Sequence, residues 1–436
     1  MIMSNIIDFR LVFQTERISI NKHMLRSKRN ICVDLECMCC IISLSFIYGG
    51  NYMEMTSRQR HLAVMRGEIP DRMPIAPRIW AWLLEYGKTH LELKSEFDYD
   101  PIIYASSGFP YHFAESFDYM TAFPDSSFLR DVKRTVTRDR KANDKKEYVT
   151  TIFDTPAGKL SQVWAYPDPG DRTYGVQPNP HMVEPLVKDR SDLAKINYLL
   201  IDKKHYPEPV FLEKVKETGE DGIVHTRINA GVDDLLVNTM GLENVLMFYY
   251  DDRELLVDAL DFYHRYYKSQ LKHTLENGAD FIFEAWFNAS LSTGWSPAMY
   301  RELFLDRIKE DVELTHSYDA YFHFYDDGRI MPLAEDFTRT GMDMITTLTP
   351  PPAGDTDAVA IKKIMHGKTV LSGYVDCIKI RYGTPDEIKE QTRYACEILG
   401  KDGGFILGTS DSIRDGSPYE NIKAFFDTGL EYGRYV

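Results

Sequence analysis

An α/β fold, a (β/α)₈ barrel of the TIM type, is what this sequence predicts, on three observations. Short β-rich runs alternate with long amphipathic stretches from Thr56 onward, the order of parallel βα units. The β-rich runs come to eight, the number of staves a closed barrel needs. The 436 residues are more than one plain barrel requires, and suit a barrel with insertions.

The candidate staves, in chain order, are 73–79, 119–123, 222–228, 280–284, 320–325, 343–348, 369–373 and 404–408. Helix starts are marked between them. Thr56 with Gln59 has the spacing of a capping box. Ser296-Pro297 sets a cap ahead of a proline at the first helical position. Thr384-Pro385 with Glu387, and Ser417-Pro418 with Glu420, combine both signals. Residues 254–275 read as one long helix, whose Tyr and Leu residues fall at helical spacing and imply packing against the staves. Between the second and third staves, 148–153 and 159–166 flank Asp154-Thr155-Pro156-Ala157-Gly158, a hairpin turn signal. With the proline-rich stretch 167–185 they predict an insertion near the barrel mouth, not a separate domain.

The first 52 residues differ in character. Four of the six cysteines (Cys32, Cys37, Cys39, Cys40) crowd there, with a basic stretch followed by a short apolar run. That run is too short to span a bilayer, which needs about 20 residues. Residues 1–52 are expected to be a disordered or mis-assigned extension, with the barrel domain occupying 53–436. Only Cys377 and Cys396 fall in that domain, so a disulfide framework is not indicated and a reducing, cytoplasmic setting is expected.

The formal net charge is −15, a field that repels phosphate backbones and argues against nucleic acid as a partner. Charged residues make up 27% and apolar ones 44%, which indicates neither a disordered chain nor a membrane protein. No Walker A loop or dinucleotide fingerprint is present.

Several stretches resemble the uroporphyrinogen decarboxylase and corrinoid methyltransferase superfamily. They are SRQRHLAVMRGEIPDRMPI, TPAGKL followed by VEPLVKDRSDLAKINYLL, GADFIFEAW, GWSPAMYRELF, GYVDCIKIRYGTPDEI and GGFILGTSDSIRDGSPYENIKAF. They occur in the family's order from Thr56 to the C-terminus. The resemblance implies a (β/α)₈ barrel. It implies one of two chemistries: decarboxylation of a tetrapyrrole without a cofactor, or methyl transfer to a zinc-activated thiol from a corrinoid on a partner protein. It also implies where the zinc ligands, a His and two Cys, should stand. Tyr325 occupies the His position, Asp327 that of the first Cys and Asp411 that of the second. Shifting the alignment would instead make His323 a ligand. Oxygen donors suit harder ions than zinc, so a divalent cation is one expectation and a metal-free site the other. The loop after the first stave, which in the decarboxylases is rich in Arg, here offers Arg78 within APRIWAWLLEYGK.

Chemistry in such a barrel gathers at the C-terminal ends of the strands. Side chains alternate along a strand, so His323, Tyr325 and Asp327 share a face, with Asp411 expected opposite. Two carboxyls held together cannot both ionise, so one becomes an acid. Asp326-Asp327-Gly328 could equally be a plain turn. Arg78 and Trp80 suggest an anion clamp and a stacking surface, or a surface ion pair and a packed indole. His225, Arg227 and Asn229 alternate after the third stave, as substrate contacts or loop ties. Glu284, a carboxylate ending an apolar strand, is expected near the site because burying it without a partner is costly. Asp376 either caps a loop or faces the pocket.

Asp327, Asp411, Tyr325 and Glu284 are thus the expected catalytic set. Arg78, Trp80, His225, Arg227, Asn229, His323 and Asp376 are the expected substrate contacts. The leading expectation is a methyltransferase or demethylase working on a small molecule with a corrinoid protein. A decarboxylase of uroporphyrinogen or a related acid, and a non-catalytic corrinoid- or substrate-binding barrel, are the alternatives. A homodimer is the expected assembly if the chain is not a monomer.

Overall fold

The computed structural model describes residues 54–108, 131–140, 145–168, 180–201, 203, 206–228, 231–326 and 328–435. The chain divides into two units, Met1–Glu54 and Met55–Val436, and both of its sheets lie in the second.

Seven strands form one parallel, curled sheet: β1 (Ile102–Ser106), β6 (Ile223–Arg227), β7 (Phe281–Ala285), β8 (Tyr321–Tyr325), β9 (Met344–Leu348), β10 (Val370–Val375) and β11 (Phe405–Thr409), adjacent in that order. Six of the predicted staves are found within two residues of their expected bounds. The first, 73–79, is not a regular strand. Ile75 makes an isolated parallel bridge to Leu407, and its carbonyl accepts the amide of Asp100, ahead of β1, at 2.8 Å. The segment therefore bonds toward both edges of the sheet. The predicted run 119–123 lies outside the described residues. The place beside β6 belongs instead to β1, which sequence reading missed, a five-residue run behind Pro101 too short to show a period.

Alternation decides what each strand buries. Ile102, Ile223, Phe281, Met344, Val370 and Ile406 point to one interior cluster with Tyr104 and Tyr321. Phe322 and Phe324 point the other way, Phe324 meeting Phe337 at 5.5 Å between ring centroids. The long helix Arg253–Glu276 covers that outer face with Leu256, Leu260, Tyr263 and Tyr267.

Helix starts follow the expected chemistry. Thr56 and Gln59 close their capping box around Ser57–Met65, and Thr384 with Glu387 does so for Pro385–Ile398. Each such cap stabilises its helix by about 1 kcal/mol. Ser417 does not cap: the helix Tyr419–Tyr432 begins a residue later than expected, after Pro418.

The insertion is larger than a hairpin. β2 (Lys133–Arg140), β3 (Glu147–Thr155), β4 (Gly158–Tyr166) and β5 (His181–Glu184) form an antiparallel sheet. The predicted turn is the β3–β4 connection, with Thr155 paired to Gly158 across Pro156-Ala157. Phe153 and Leu160 join this sheet to the main core.

Candidate active site

Three elements bring a polar cluster together at the C-terminal ends of the strands. Arg78 follows the Ile75 segment, Tyr325 ends β8 and Asp411 follows β11. Arg78 Nη1 donates to Asp411 Oδ1 at 3.2 Å. Its guanidinium carbon lies 4.3 Å from the Tyr325 ring centroid and 5.9 Å from that of Tyr104. Tyr325 Oη donates to the same Asp411 oxygen at 3.4 Å, and Arg414 Nη2 holds the other at 2.9 Å. Burial works against charge on Arg78, but Tyr325, Asp411 and Tyr104 outweigh it and raise its pKa. It is a permanent cation stacked between two phenol rings.

Below this cluster sits a histidine pair. Along β8 the interior positions are Tyr321, His323 and Tyr325, so His323 lies two residues, ~7 Å, deeper than Tyr325. His225 reaches it from β6, Nδ1 to Nδ1 at 2.6 Å. The His225 ring stacks on Phe281, with centroids 4.8 Å apart, and Phe283 packs against His323 at 5.0 Å. Burial, and then Arg78, push His323 down to about 3; burial and His323 push His225 well below the ordinary value. Both rings are neutral at pH 7.

The other expected site residues are distributed as follows. Glu284 is not in the cluster. It lies on the opposite face of β7 from Phe283, 2% exposed, accepting from Trp286 Nε1. Burial and then Asp311 raise its pKa well above the carboxylate range. The strand's period-two alternation puts it outside the ring of strands, where protonation supplies what a counter-ion would. Asp376 caps the helix Cys377–Tyr382, accepting from Ile378 N at 2.8 Å. Trp80 opens the helix Trp80–Tyr86 and is 44% exposed. Arg227 faces Asp234 at 3.8 Å. Asp327 and Asn229 lie outside the described residues, and with Asp327 the expected meeting of 327 and 411.

Two members escape the sequence reading. Tyr104 is paired in register with His225, a neighbour that could have been found only with β1 in place. Arg414 stands three residues past Asp411, a spacing visible in the sequence.

The donor set does not fit a zinc ion. Both Asp411 oxygens face guanidinium groups, and the two imidazoles spend Nδ1 on each other. Among the described residues no group of three His, Cys, Asp or Glu side chains is placed to hold a metal. An ion there would meet Arg78 and Arg414 at close range, a repulsion that Asp411 alone does not offset.

A curled seven-stranded parallel sheet with a polar cluster at the C-terminal ends of its strands is consistent with a TIM-barrel-like fold. Residues 234–432 match the family model described as uroporphyrinogen decarboxylase (URO-D). A methyltransferase from Methanosarcina mazei shares the fold, with a TM-score of 0.50 at 16% identity over 87% of this chain and 99% of that one. A protein from Listeria monocytogenes assigned as a vitamin-B12 independent methionine synthase is aligned at 14% identity over 52% of this chain and 70% of that one, with a TM-score of 0.35. No curated protein matches the sequence. No helix among the described residues is long and apolar enough to cross a membrane.

Proposed function

We propose that this protein is a metal-free enzyme that binds one anionic group of a small substrate on Arg78 and protonates the atom that gives up a methyl group, a corrinoid on a partner protein taking the methyl. The observation that carries the reading is Arg78, caged by Tyr325 and Tyr104 and tied to Asp411 where the strands end. The segment 73–78 acts as the eighth stave, closing a barrel around this centre through the bonds of Ile75 to both sides.

Each group then has a task. Arg78 orients the anion through its fixed fork of donors. Asp411, held by Arg414, keeps Arg78 in place. Tyr325, whose phenol meets Asp411, supplies the proton that the leaving heteroatom takes as its bond to carbon breaks. Asp327, next in the chain after the buried Asp326, is the candidate second carboxyl.

Decarboxylation of a small acid is the second reading, since Arg78 would hold a carboxylate equally well. A porphyrinogen, with many carboxylates, fits poorly: the helix Trp80–Tyr86 beside Arg78 carries no cation. The deciding experiment mixes the purified protein with methylated and reduced corrinoids and a panel of carboxylated methyl donors and acceptors, following the visible spectrum. A spectral change lost in Arg78→Gln supports methyl transfer. Carbon dioxide release without spectral change supports the second reading. Neither, across the panel, leaves a binding protein.

A further inference from the structure

We propose that Arg78 Nε and His323 Nε2 together bind one small carboxylate at the floor of this centre, and that His225 fixes which nitrogen of His323 faces it. This rests on the proposed anion site at Arg78 and supplies the anion's second anchor.

Two observations carry it. Arg78 Nε and His323 Nε2 are both buried and have no partner. Burying a polar nitrogen without a partner is costly; among the buried polar atoms without one, these two lie around the same aromatic ring. Tyr104 lies 5.9 Å from the Arg78 guanidinium carbon and 6.3 Å from the centre of the His323 ring. The second observation is the 2.6 Å contact between the Nδ1 atoms of His225 and His323. Neutral rings at that distance share one proton, so one Nδ1 donates and the other accepts.

The proposal assigns one tautomer to the pair. In the proposed state His225 donates from Nδ1, His323 accepts at Nδ1, and His323 carries its proton on Nε2. A guanidinium N–H and an imidazole N–H offered to one ligand would select an acceptor with two oxygens, a carboxylate. An ether or amine could satisfy only one of them. Burial keeps both imidazoles uncharged, so the floor adds a directed donor and no further cation. His225 is a positioning residue in this scheme.

Nitrogen NMR of the histidine-labelled protein at neutral pH, titrated with acetate, tests it without requiring turnover. The expected spectrum shows His323 protonated at Nε2 and His225 at Nδ1, with acetate shifting the His323 Nε2 signal saturably. In His225→Phe the His323 tautomer becomes mixed and acetate binding weakens about tenfold, while His225→Asn, whose amide can donate in place of Nδ1, restores both. His323 protonated at Nδ1, or a signal indifferent to acetate, overturns the proposal. So does unchanged acetate affinity in His323→Phe. Acetate binding without methyl transfer would leave this inference standing and remove the proposed reaction. Methyl transfer with an unaltered KM in His323→Phe would do the reverse.

Discussion

The two faces of β7 and β8 solve one problem in opposite ways. Inside the curl of strands, ionised groups meet counter-ions, Arg78 with Asp411 and Asp411 with Arg414, above the neutral pair His225–His323. Other carboxyls are buried with little compensating charge: Glu284 on the outer face of β7 with Asp311 near it, and Asp233 and Asp234 on the helix Val232–Met240, where Arg227 faces Asp234 at 3.8 Å. Glu284, Asp311 and Asp233 are at most 2% exposed and Asp234 is 4%. Asn288 ties Asp233 and Asp234 through its amide groups, and Asp311 meets His264 at 3.0 Å. Burial first, then neighbouring acids, push Glu284 and Asp233 far above the carboxylate range; burial does the same to Asp311 and brings Asp234 to about 6. The inner face neutralises charge with charge, and these carboxyls do so by holding protons. Only the first arrangement leaves a fixed cation to meet a substrate, so a buried carboxyl with a displaced pKa is not by that fact a catalytic one.

Breaking the inner arrangement should have the largest effect. Arg78→Met removes the cation around which the proposed site is built, and kcat/KM in the corrinoid assay should fall by a hundredfold or more, about 3 kcal/mol. Asp411→Asn leaves Arg78 in place but loosens it; a loss of roughly tenfold, mostly in KM, is expected from kinetics over a substrate range. Glu284→Gln and Asp311→Asn should leave turnover within about twofold, because neither group meets the proposed reaction centre. A hundredfold loss in Glu284→Gln would erase the distinction between the two faces.

The protonated carboxyls should show themselves in stability against pH. Their folded pKa values lie above the unfolded ones, so the stability they contribute is complete below about pH 4 and is lost as pH rises through each folded value. Asp234 loses its share by about 6, and Asp233, Glu284 and Asp311 lose theirs at higher pH. Melting temperature should therefore decline from pH 6 to pH 9, and the slope should flatten in Asp311→Asn. Calorimetry of the two proteins across that range measures the difference. The smallest effect belongs to Trp80→Ala. With nearly half its surface in water, Trp80 should matter to stability by about 0.5 kcal/mol or less.

Much of the sheet is legible in the sequence because its strands are short apolar runs bounded by turn residues. β7 through β11 each fall within two residues of their expected bounds. The first stave is legible as a run but not as an irregular strand, since its bonds depend on Leu407 and Asp100, far away in sequence. At the site, Arg78, Tyr325, Asp411, His225 and His323 all stand out in the sequence, and the structure brings them into two adjoining groups. Glu284 stands apart from both groups, because the strand's alternation assigns it the face opposite His225 and His323. Tyr104 stays hidden with its strand. The fate of Asp376 turns on a local bond, Ile378 N to its carboxylate, which sequence alone leaves undecided.

The seam at Ile75 has a temporal consequence. Met73 N donates to the carbonyl of Gly433, and Ile75 joins Leu407 to the approach of β1. Asp100, fully buried, accepts from Ser57, Arg60, Arg72 and the amide of Ile75. Residues from the beginning of the domain thus wait for residues made last. During synthesis the early staves leave the ribosome with one margin unpaired, and only after residue 433 emerges can that margin be sealed. A nascent chain halted before Leu407 should be open to proteases along residues 73–79, and one released past Gly433 should not.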